Sequence, residues 1–589
     1  MTRQRDISCR LLAVLLVVFV ILATWYSLTI PLGEAPDEVP HFGLIRHLVQ
    51  HGHLASPGDG HEAFQPPLYY LAGAILTFWI PDHTPHAVWA NADYDITDPL
   101  APRNLLLHPA TEAWPFRGWA LAWHLVRLLS VLLGATTVWA VFHLGRQVFP
   151  EQPAISLGMA ALTAFTPQFL FMSAVINNDN AAAAVSALVL WQIAALLRRN
   201  SLKPLHLAVL GLLLGLGLLS KASLLALVPV IGLAILCVWW NNRARGTRHL
   251  LLAWLITFGV TALMAGWVYV RNLLVFGDPL AWSYILVTNP VREVELTIEV
   301  LAWLFQGLFH SFWLGWIGVT FDEWIYWGIG ALCLLGLAGF VAWLVLRWRR
   351  IEMCVRWTVL LLGLHAGLTL LSLVQWTATV RGTDQARLIY PILPTVMLVM
   401  VSGLLVWLPT RRRPWAAGLL AGAWLVLAIM TPIYYIKPVH APPPLLDSLP
   451  AETTPLDIRF GDSIRLVGYR LENPQVHTGE KLLLDLYWQA ESRPEGNFWA
   501  LIELVGQDGS LLLYKDGSPS AGRDTTDRWK PGPIVTSHHR MTVPEYGAPG
   551  TYRLTIRLHP AGERMWLPAI SPDGRLPGDT LTLAVLELR

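Results

Sequence analysis

Charged and polar side chains stand next to long apolar runs at several separate points of the chain. Asp37 and Glu38 directly follow the first apolar run, and a pair of carboxylates beside a bilayer could supply a general base. An arginine within an apolar run is energetically costly, so Arg127 is a candidate functional residue by default. The structural alternatives are a solvated acid at a helix start and an arginine that extends to the membrane interface.

Five further candidates lie in short polar stretches between later apolar runs. They are Asn178, Asp179, Lys221, Arg271 and Arg387. Each alone could be an ordinary polar turn, but alternation of the runs across a membrane places all five on one face with Asp37. A pocket on that face with Lys221, Arg127 and Arg387 could bind a phosphate, because guanidinium groups make bidentate contacts with phosphate oxygens.

The loop after the first apolar run supplies four more candidates. His41 follows Asp37 closely, and Gln65, Tyr69 and Tyr70 flank a pair of prolines. The tyrosines could face a substrate groove, although helix initiation by the prolines accounts for the same pattern.

Long apolar runs must position these side chains. A membrane span needs roughly 20 mostly apolar residues. The runs that meet or approach this length are 11–30, 123–145, 154–172, 181–197, 205–219, 222–240, 250–270, 325–346, 355–374, 388–408 and 415–435. The sequence therefore predicts a polytopic α-helical membrane protein with about eleven spans.

Basic residues in short loops indicate the orientation of such a protein, because these loops stay in the cytoplasm. Five basic clusters fall on one side when the eleven runs alternate. They are Arg3 with Arg5 and Arg10, Arg198 with Arg199 and Lys203, Arg243 with Arg245 and Arg248, Arg347 with Arg349 and Arg350, and Arg411 with Arg412 and Arg413. We therefore expect a multi-pass protein of the cell membrane, with a cytoplasmic N-terminus and an extracytoplasmic C-terminal region. A cleaved signal peptide is the alternative for the first run, whose apolar core is too long for one.

The first outside loop, residues 31–118, is long enough to indicate a function. Residues 40–51 form an amphipathic pattern and residues 67–80 a short apolar one, so both predict helices that lie along the membrane interface. Residues 300–316, rich in Trp, Phe and Leu, predict a similar interfacial or re-entrant helix.

Composition narrows the classes of partner and cofactor. Only 14% of the residues are charged, whereas soluble proteins average about a quarter, so the lipid bilayer is the main surrounding. A net charge of +2 says nothing about partners, and no nucleic-acid partner is expected. No Walker-type loop or dinucleotide-binding fingerprint indicates a soluble nucleotide site. The eight histidines of the first loop leave a divalent metal open, and no cofactor is firmly indicated.

The pattern changes after the last apolar run. Residues 437–457 are rich in proline and predict a linker, whereas residues 458–589 alternate with period two between turn signals. The sequence thus predicts three parts: a membrane domain at 1–436, the linker, and an extracytoplasmic β-sandwich at 458–589.

In this order and on this face, the polar motifs resemble those of the GT-C superfamily of membrane glycosyltransferases. The likeness is to the protein mannosyltransferase and aminoarabinose transferase branch and to related bacterial membrane proteins, and it covers residues 1–435. The matching pieces are Asp37-Glu38-(x2)-His41, Gln65-Pro66-Pro67-Leu68-Tyr69-Tyr70, Arg127-(x2)-Ser130, Asn178-Asp179, Lys221 and Arg387-(x3)-Pro391.

The resemblance implies a role for each of these residues. Asp37 would be the catalytic base, supported or replaced by Glu38, and Arg127 would contact the phosphate of a lipid-linked donor. Lys221 and Arg387 would be further cations near that phosphate. The remaining matched residues would line the cavity, and a β-sandwich appended to such enzymes would bind glycan or acceptor, with Trp488, Trp499 and Trp529 either stacking on sugar or forming core.

The resemblance also implies the activity. The enzyme would transfer a sugar from a polyprenyl-phosphate donor to an extracytoplasmic glycan, lipid or protein acceptor with inversion. A transporter of lipid-linked glycans and a non-catalytic glycan-binding or assembly protein are the alternatives. The enzymatic interpretation requires that Asp37 and Arg127 lie on the same side and close enough to serve one substrate.

Overall fold

The computed structural model describes residues 2–81, 89–98, 101–242, 246–442, 444–522 and 524–589. Arg243 and Arg245 of the third basic cluster lie outside these residues. The helices are α1 (Thr2–Thr29), α2 (Glu38–His51), α3 (Leu68–Thr77), α4 (Gly118–Val148), α5 (Pro153–Phe165), α6 (Pro167–Ser173), α7 (Asp179–Arg199), α8 (Pro204–Leu218), α9 (Leu227–Asn241), α10 (Thr247–Phe276), α11 (Trp282–Thr288), α12 (Ile298–Trp313), α13 (Glu323–Arg347), α14 (Met353–Thr377), α15 (Leu393–Leu405) and α16 (Arg413–Thr431).

Nine helical segments within the described ranges are long and apolar enough to cross a membrane, or ten when the bent pair α5–α6 counts as one span. The remaining predicted run, 205–219, corresponds to α8, which has only 15 residues. The prediction of a polytopic helical membrane protein is confirmed, and the difference in count comes from these two segments.

The run predicted at 154–172 is one apolar stretch in sequence but two helices in the structure. The chain bends by 62° between α5 and α6. Pro167 begins α6, and Thr166 before it adopts an extended conformation. Proline lacks the amide donor and disfavours a helical residue before it, which explains the break.

Close packing of α13 against α15 depends on glycine. A Cβ atom at Gly403 would lie 1.8 Å from the carbonyl oxygen of Gly336, so no other residue fits there without movement. The short 3₁₀ segment Ala386–Ile392 leads directly into α15. The contact between α13 and α15 therefore helps to fix the position of that segment.

The strands are β1 (Gly315–Trp316), β2 (Val319–Thr320), β3 (Leu445–Leu446), β4 (Thr454–Phe460), β5 (Ile464–Leu471), β6 (Gln475–Val476), β7 (Lys481–Ala490), β8 (Phe498–Gly506), β9 (Leu511–Gly517), β10 (Ile534–Thr542), β11 (Gly550–Pro560), β12 (Ala569–Ser571), β13 (Gly574–Arg575) and β14 (Leu581–Leu588). The first two form a short hairpin, and the others form two sheets. The orders are β13-β12-β4-β5-β7-β10-β3 and β6-β14-β11-β8-β9.

The two sheets share one hydrophobic core, to which both contribute buried alternate residues. The predicted β-sandwich is therefore confirmed. Trp488 and Trp529 are buried in this core, whereas Trp499 is half-buried. Core packing is thus the role of the first two tryptophans. The pair Leu445–Leu446, inside the predicted linker, forms β3 and pairs with β10.

The chain forms two compact units. The helical unit contains Met1–Ile30, Ala35–Pro81 and Leu121–Ile436, and the β unit contains Pro31–Glu34, Asp82–Ala120 and Lys437–Arg589. Much of the first outside loop therefore belongs to the β unit. Within that unit, Asp93 forms an ion pair with Lys515, and Asp98 lies 2.9 Å from Lys481 Nζ.

Candidate active site

Glu38, the first residue of α2, is buried and fully engaged. Arg127 of α4 donates to it through Nε and Nη2, each at 2.7 Å from a carboxylate oxygen. Glu38 Oε1 also accepts from the amide of Ile176 at 2.9 Å. Arg127 Nη1 donates to the carbonyls of Ser27 and Ile30 at the end of α1. This pair therefore joins α1, α2, α4 and the segment before α7.

Arg127 and Asp37 lie on the same side, because the partner of Arg127 is the residue after Asp37. The guanidinium of Arg127 has no exposed surface, however, and its donors point to Glu38 and two carbonyls. The structure thus places the two residues close together, with Arg127 in contact with protein groups that hold α2.

Asp37 has a different environment from its neighbour. Its backbone is left-handed, with φ 56° and ψ 15°, a conformation that only a few per cent of non-glycine residues adopt. Its side chain is 42% exposed. Oδ2 accepts a hydrogen bond from Arg387 Nη2. Asp37 is therefore the carboxylate of this pair that a substrate could reach.

Four charged residues form a continuous series that begins at Asp37. Arg387 donates to Asp37 through Nη2 and to Asp179 Oδ2 through Nη1, the latter at 3.1 Å. Asp179 Oδ1 accepts from Lys221 Nζ. We call Asp37, Arg387, Asp179 and Lys221 the charge chain. It brings together two predicted acids and two predicted cations that are far apart in sequence.

Helix ends explain how the charge chain assembles. Asp179 begins α7, Lys221 follows α8, and Arg387 lies in the 3₁₀ segment before α15. These ends meet at one level of the helical unit, as the alternation of apolar runs predicts. The Lys221–Asp179 pair shows that α8 returns to the level at which α7 begins.

The charges around Asp37 lower the pKa of its carboxyl. Burial alone would raise this pKa, but the charges of Arg387, His41 and Lys221 and the hydrogen bond from Arg387 outweigh it and lower the pKa to about 2. Asp37 is therefore ionised at neutral pH in this arrangement.

Aromatic and amide side chains line the region next to the charge chain. The Tyr70 hydroxyl lies 2.8 Å from His41 Nδ1, and the Tyr69 hydroxyl lies 2.7 Å from that of Ser130. Burial lowers the pKa of His41, and the nearby carboxylates of Glu62 and Asp37 oppose this. His41 and both tyrosines are therefore held in fixed positions beside Asp37.

Gln65 and Asn178 connect the first loop to the start of α7. Asn178 Nδ2 donates to Gln65 Oε1 at 3.0 Å and to the carbonyl of Ser220. Asn178 Oδ1 is buried and has no hydrogen-bond partner within the described ranges. It is available to accept a hydrogen bond from a bound molecule.

Arg271 lies apart from the charge chain. It donates to the carbonyl of Ala55 and to Asn272, and it stands 5.5 Å from the centre of the Phe276 ring. It also lines a mainly apolar cleft of about 360 Å³, part of it open solvent, with Gln65 and Tyr70. The structure thus groups Arg271 with this cleft.

Glu62 is a site residue that the sequence patterns do not single out. It is buried, it accepts from Gln65 Nε2 at 2.7 Å, and it lies 3.0 Å from His61 Nδ1. Burial would raise its pKa, but the contact with His61 and the nearby His41 lower it. Its position three residues before Gln65, in a loop rich in His and Gly, is the signal that could have identified it.

Metal binding has no support from side-chain geometry. Across the described ranges, no three His, Cys, Asp or Glu side chains come together in a way that could hold a metal ion. The loop histidines with neighbouring rings, His47, His51 and His53, do not form such a group.

Comparison with known proteins supports the resemblance. A family model described as dolichyl-phosphate-mannose-protein mannosyltransferase matches residues 122–270, which include Arg127, Asp179 and Lys221. This match confirms the resemblance to the GT-C superfamily of membrane glycosyltransferases. No curated protein sequence matches the chain.

Solved structures of two proteins are similar to this chain. ArnT from Cupriavidus metallidurans, in the apo state and bound to undecaprenyl phosphate, gives a TM-score of 0.40 at 13% identity over 72% of this chain and 73% of that chain. The arabinosyltransferase EmbB from Mycobacterium smegmatis gives a TM-score of 0.34 at 12% identity over 97% of this chain and 65% of that chain. TM-scores below 0.5 do not establish a shared arrangement of side chains.

Proposed function

We propose that the chain transfers a sugar from a polyprenyl-phosphate-linked donor to an extracytoplasmic acceptor, with inversion at the anomeric carbon. The observation that carries this proposal is the charge chain, in which a partly exposed carboxylate, Asp37, lies beside two cations, Arg387 and Lys221. A glycosyl transfer from a lipid phosphate needs a base and cationic groups close together.

The reaction balances with these groups. The acceptor hydroxyl gives its proton to the Asp37 carboxylate as its oxygen forms a bond to the anomeric carbon. The bond from that carbon to the phosphate oxygen breaks, and the electron pair leaves with the polyprenyl phosphate. Arg387 and Lys221 stabilise the developing negative charge on the leaving phosphate. A single displacement of this kind inverts the anomeric centre.

The supporting residues are assigned by their contacts. We assign Glu38 and Arg127 to positioning, because their pair fixes α2 and thereby Asp37. His41, Tyr69, Tyr70, Gln65 and Asn178 shape the cavity. Arg271 lines the apolar cleft, whose walls suit a lipid or the apolar face of an acceptor.

The same proposal extends to sidedness and domain roles. Residues 1–436 form the catalytic part, 437–457 connect it to residues 458–589, and the N-terminus is cytoplasmic. The β-sandwich is then extracytoplasmic, on the side where a lipid-linked donor and its acceptor meet. A donor whose chain lies in lipid is consistent with a site at the ends of membrane helices.

Complementation with matched variants tests the proposal. A strain that lacks the protein should accumulate the lipid-linked sugar, and mass spectrometry should identify it. The full chain should clear this compound, and Asp37→Asn should not, because general-base loss lowers the rate by about 10²–10⁴-fold. Asp59→Asn is the control, since Asp59 lies in the same loop at similar exposure, 37%, outside the charge chain.

The outcomes separate the alternatives. Full clearance by Asp37→Asn would rule out Asp37 as the base. Accumulation of the donor only on the cytoplasmic face of the deletion strain would indicate a transporter instead. Loss of function on removal of residues 458–589, with Asp37 dispensable, would indicate a non-catalytic glycan-binding protein.

A further inference from the structure

The base and the phosphate-binding cation of the proposed reaction are bonded to each other in this structure. Arg387 Nη2 donates to Asp37 Oδ2. In the reaction, Asp37 must accept a proton and Arg387 must face a phosphate. These two demands conflict with the bond that the structure shows.

Each of the three guanidinium nitrogens of Arg387 already donates a hydrogen bond to a protein group. Nε donates to Gln385 at 2.8 Å, Nη1 to Asp179 at 3.1 Å and Nη2 to Asp37. The side chain is 9% exposed, so it has little contact with water. A phosphate can gain a direct contact with this guanidinium most simply by replacing one of the three acceptors.

Of the two carboxylates that hold Arg387, Asp37 can be replaced at the lower cost. Its side chain is 42% exposed, whereas that of Asp179 is 3% exposed. Asp179 also holds Lys221, and its backbone amide donates to Asn177 Oδ1 at 2.8 Å. Loss of the Asp179 contact would leave a buried charge, but loss of the Asp37 contact leaves an acid that solvent can reach.

We propose that donor binding activates the base: the donor phosphate takes Arg387 from Asp37, while Asp179 keeps Arg387 and Lys221 in place. This inference rests on the proposed function. Asp37 is then paired and unreactive in the empty enzyme and is released only when a phosphate is bound. Asp179 acts as a positioning residue for both cations.

The charged groups that face Asp37 agree with this sequence of events. Arg387, Lys221 and His41 favour its ionised form, and Arg387 has the largest effect among them. A phosphate on Arg387 would neutralise that effect, and the repulsion between the Glu62 carboxylate and Asp37 would then oppose the charge on Asp37. We therefore expect phosphate binding to raise the pKa of Asp37 from its value of about 2 in this structure.

Binding of polyprenyl phosphate tests the coupling without a sugar or an acceptor. If the phosphate and Asp37 compete for Arg387, removal of the Asp37 charge must strengthen phosphate binding, because the two interactions are thermodynamically coupled. Undecaprenyl phosphate would be titrated against the full chain in nanodiscs, and binding measured by native mass spectrometry. Asp37→Asn should bind about 5–100-fold more tightly than the wild type.

Two further variants separate the coupling from a general charge effect. Glu62→Gln removes a neighbouring negative charge whose hydrogen bonds go to Gln65 and His61 and not to Arg387, and it should change the affinity by less than about 3-fold. In an Arg387→Gln background, Asp37→Asn should give no further gain. A gain that persists in this background, or an equal gain from Glu62→Gln, overturns the inference.

The inference and the proposed function can fail separately. If Asp37→Asn loses transfer but binds undecaprenyl phosphate as the wild type does, Asp37 remains the proposed base, and its release from Arg387 by phosphate is refuted. No binding of undecaprenyl phosphate by either protein also refutes the release, and the complementation result then decides the proposed function by itself.

Discussion

At the scale of single residues, two adjacent carboxylates have opposite environments. Glu38 is fully buried against Arg127, whereas the Asp37 side chain is 42% exposed at the edge of the charge chain. The left-handed backbone of Asp37 allows this difference, because it turns the chain just before α2 begins. One acid can therefore anchor the helix while the other remains accessible.

The Glu38–Arg127 pair should contribute to stability rather than to phosphate binding. Arg127→Met leaves a buried carboxylate without its counter-charge, which costs about 3–5 kcal/mol, so the melting temperature should fall clearly. Glu38→Gln combined with Arg127→Met should recover part of the loss. Thermal unfolding of the purified full chain in detergent measures these changes.

A second arginine–glutamate pair provides the control. Arg198 lies 3.1 Å from Glu352, which is 65% exposed, so Arg198→Met should change stability by less than about 1 kcal/mol. An Arg127→Met variant with an unchanged melting temperature and no affinity for undecaprenyl phosphate would assign Arg127 to the phosphate after all.

Sequence patterns predict the members of the site better than its bonds. Asp37, Asp179, Lys221 and Arg387 follow from their positions beside apolar runs. Their pairings do not, because Asp37 and Arg387 are 350 residues apart and no local pattern links them. The same limit applies to Arg127, whose partner Glu38 is 89 residues away. Glu62 is missed because a single loop acid carries no periodic signal.

At the scale of elements, glycine and proline residues predict helix ends well. Residues 40–51 predict a helix, and α2 spans Glu38–His51, because Gly52 takes a left-handed conformation that ends it. Hydropathy alone is weaker, since the run at 154–172 hides the break before Pro167. The proline carries that information, but an apolar run of sufficient length gives no sign that it divides.

The α13–α15 contact offers a test at this scale. Gly403→Ala places a Cβ 1.8 Å from the Gly336 carbonyl oxygen, so the helices must separate and the melting temperature should fall by several degrees. Transfer activity should also fall, because the Arg387 segment leads into α15. Gly418→Ala is the control, because no atom lies within 4 Å of its added Cβ.

Thermal unfolding and the complementation assay measure both effects on the same preparations. A Gly403→Ala variant as stable and active as Gly418→Ala would show that the helices adjust at no cost. In that case, the α13–α15 contact would not determine where Arg387 lies.

At the scale of the whole molecule, the number of crossings determines where the β-sandwich lies. Nine helical segments in the described parts of the chain meet the length criterion, and the bent pair α5–α6 and the short α8 are undecided by length. An N-terminus and a C-terminal domain on opposite sides require an odd number. If the proposed orientation holds, either both undecided segments cross, which gives eleven spans, or neither crosses, which gives nine.

Ion pairs and hydrogen bonds of the helical unit favour eleven membrane crossings over nine. Arg127, near the N-terminal end of α4, and the amide of Ile176, after α6, both donate to Glu38. The pair α5–α6 therefore returns to the level of the N-terminal end of α4. Lys221 after α8 pairs with Asp179 at the start of α7, so α8 likewise returns along α7. At about 1.5 Å per residue, α8 is roughly 22 Å long, which the turn at Ser220 and Lys221 extends.

Cysteine labelling should therefore place the two ends of α8 on opposite sides of the membrane. In a variant with its four native cysteines replaced by serine, Ser223→Cys and Ser492→Cys should react with an impermeant maleimide in intact cells. Ser201→Cys, between α7 and α8, should react only after permeabilisation, because it adjoins the basic cluster at Arg198. Equal labelling of positions 201 and 223 in intact cells would show that α8 does not cross the membrane. Labelling of position 201 but not of position 492 would show that the orientation is the opposite of the one proposed.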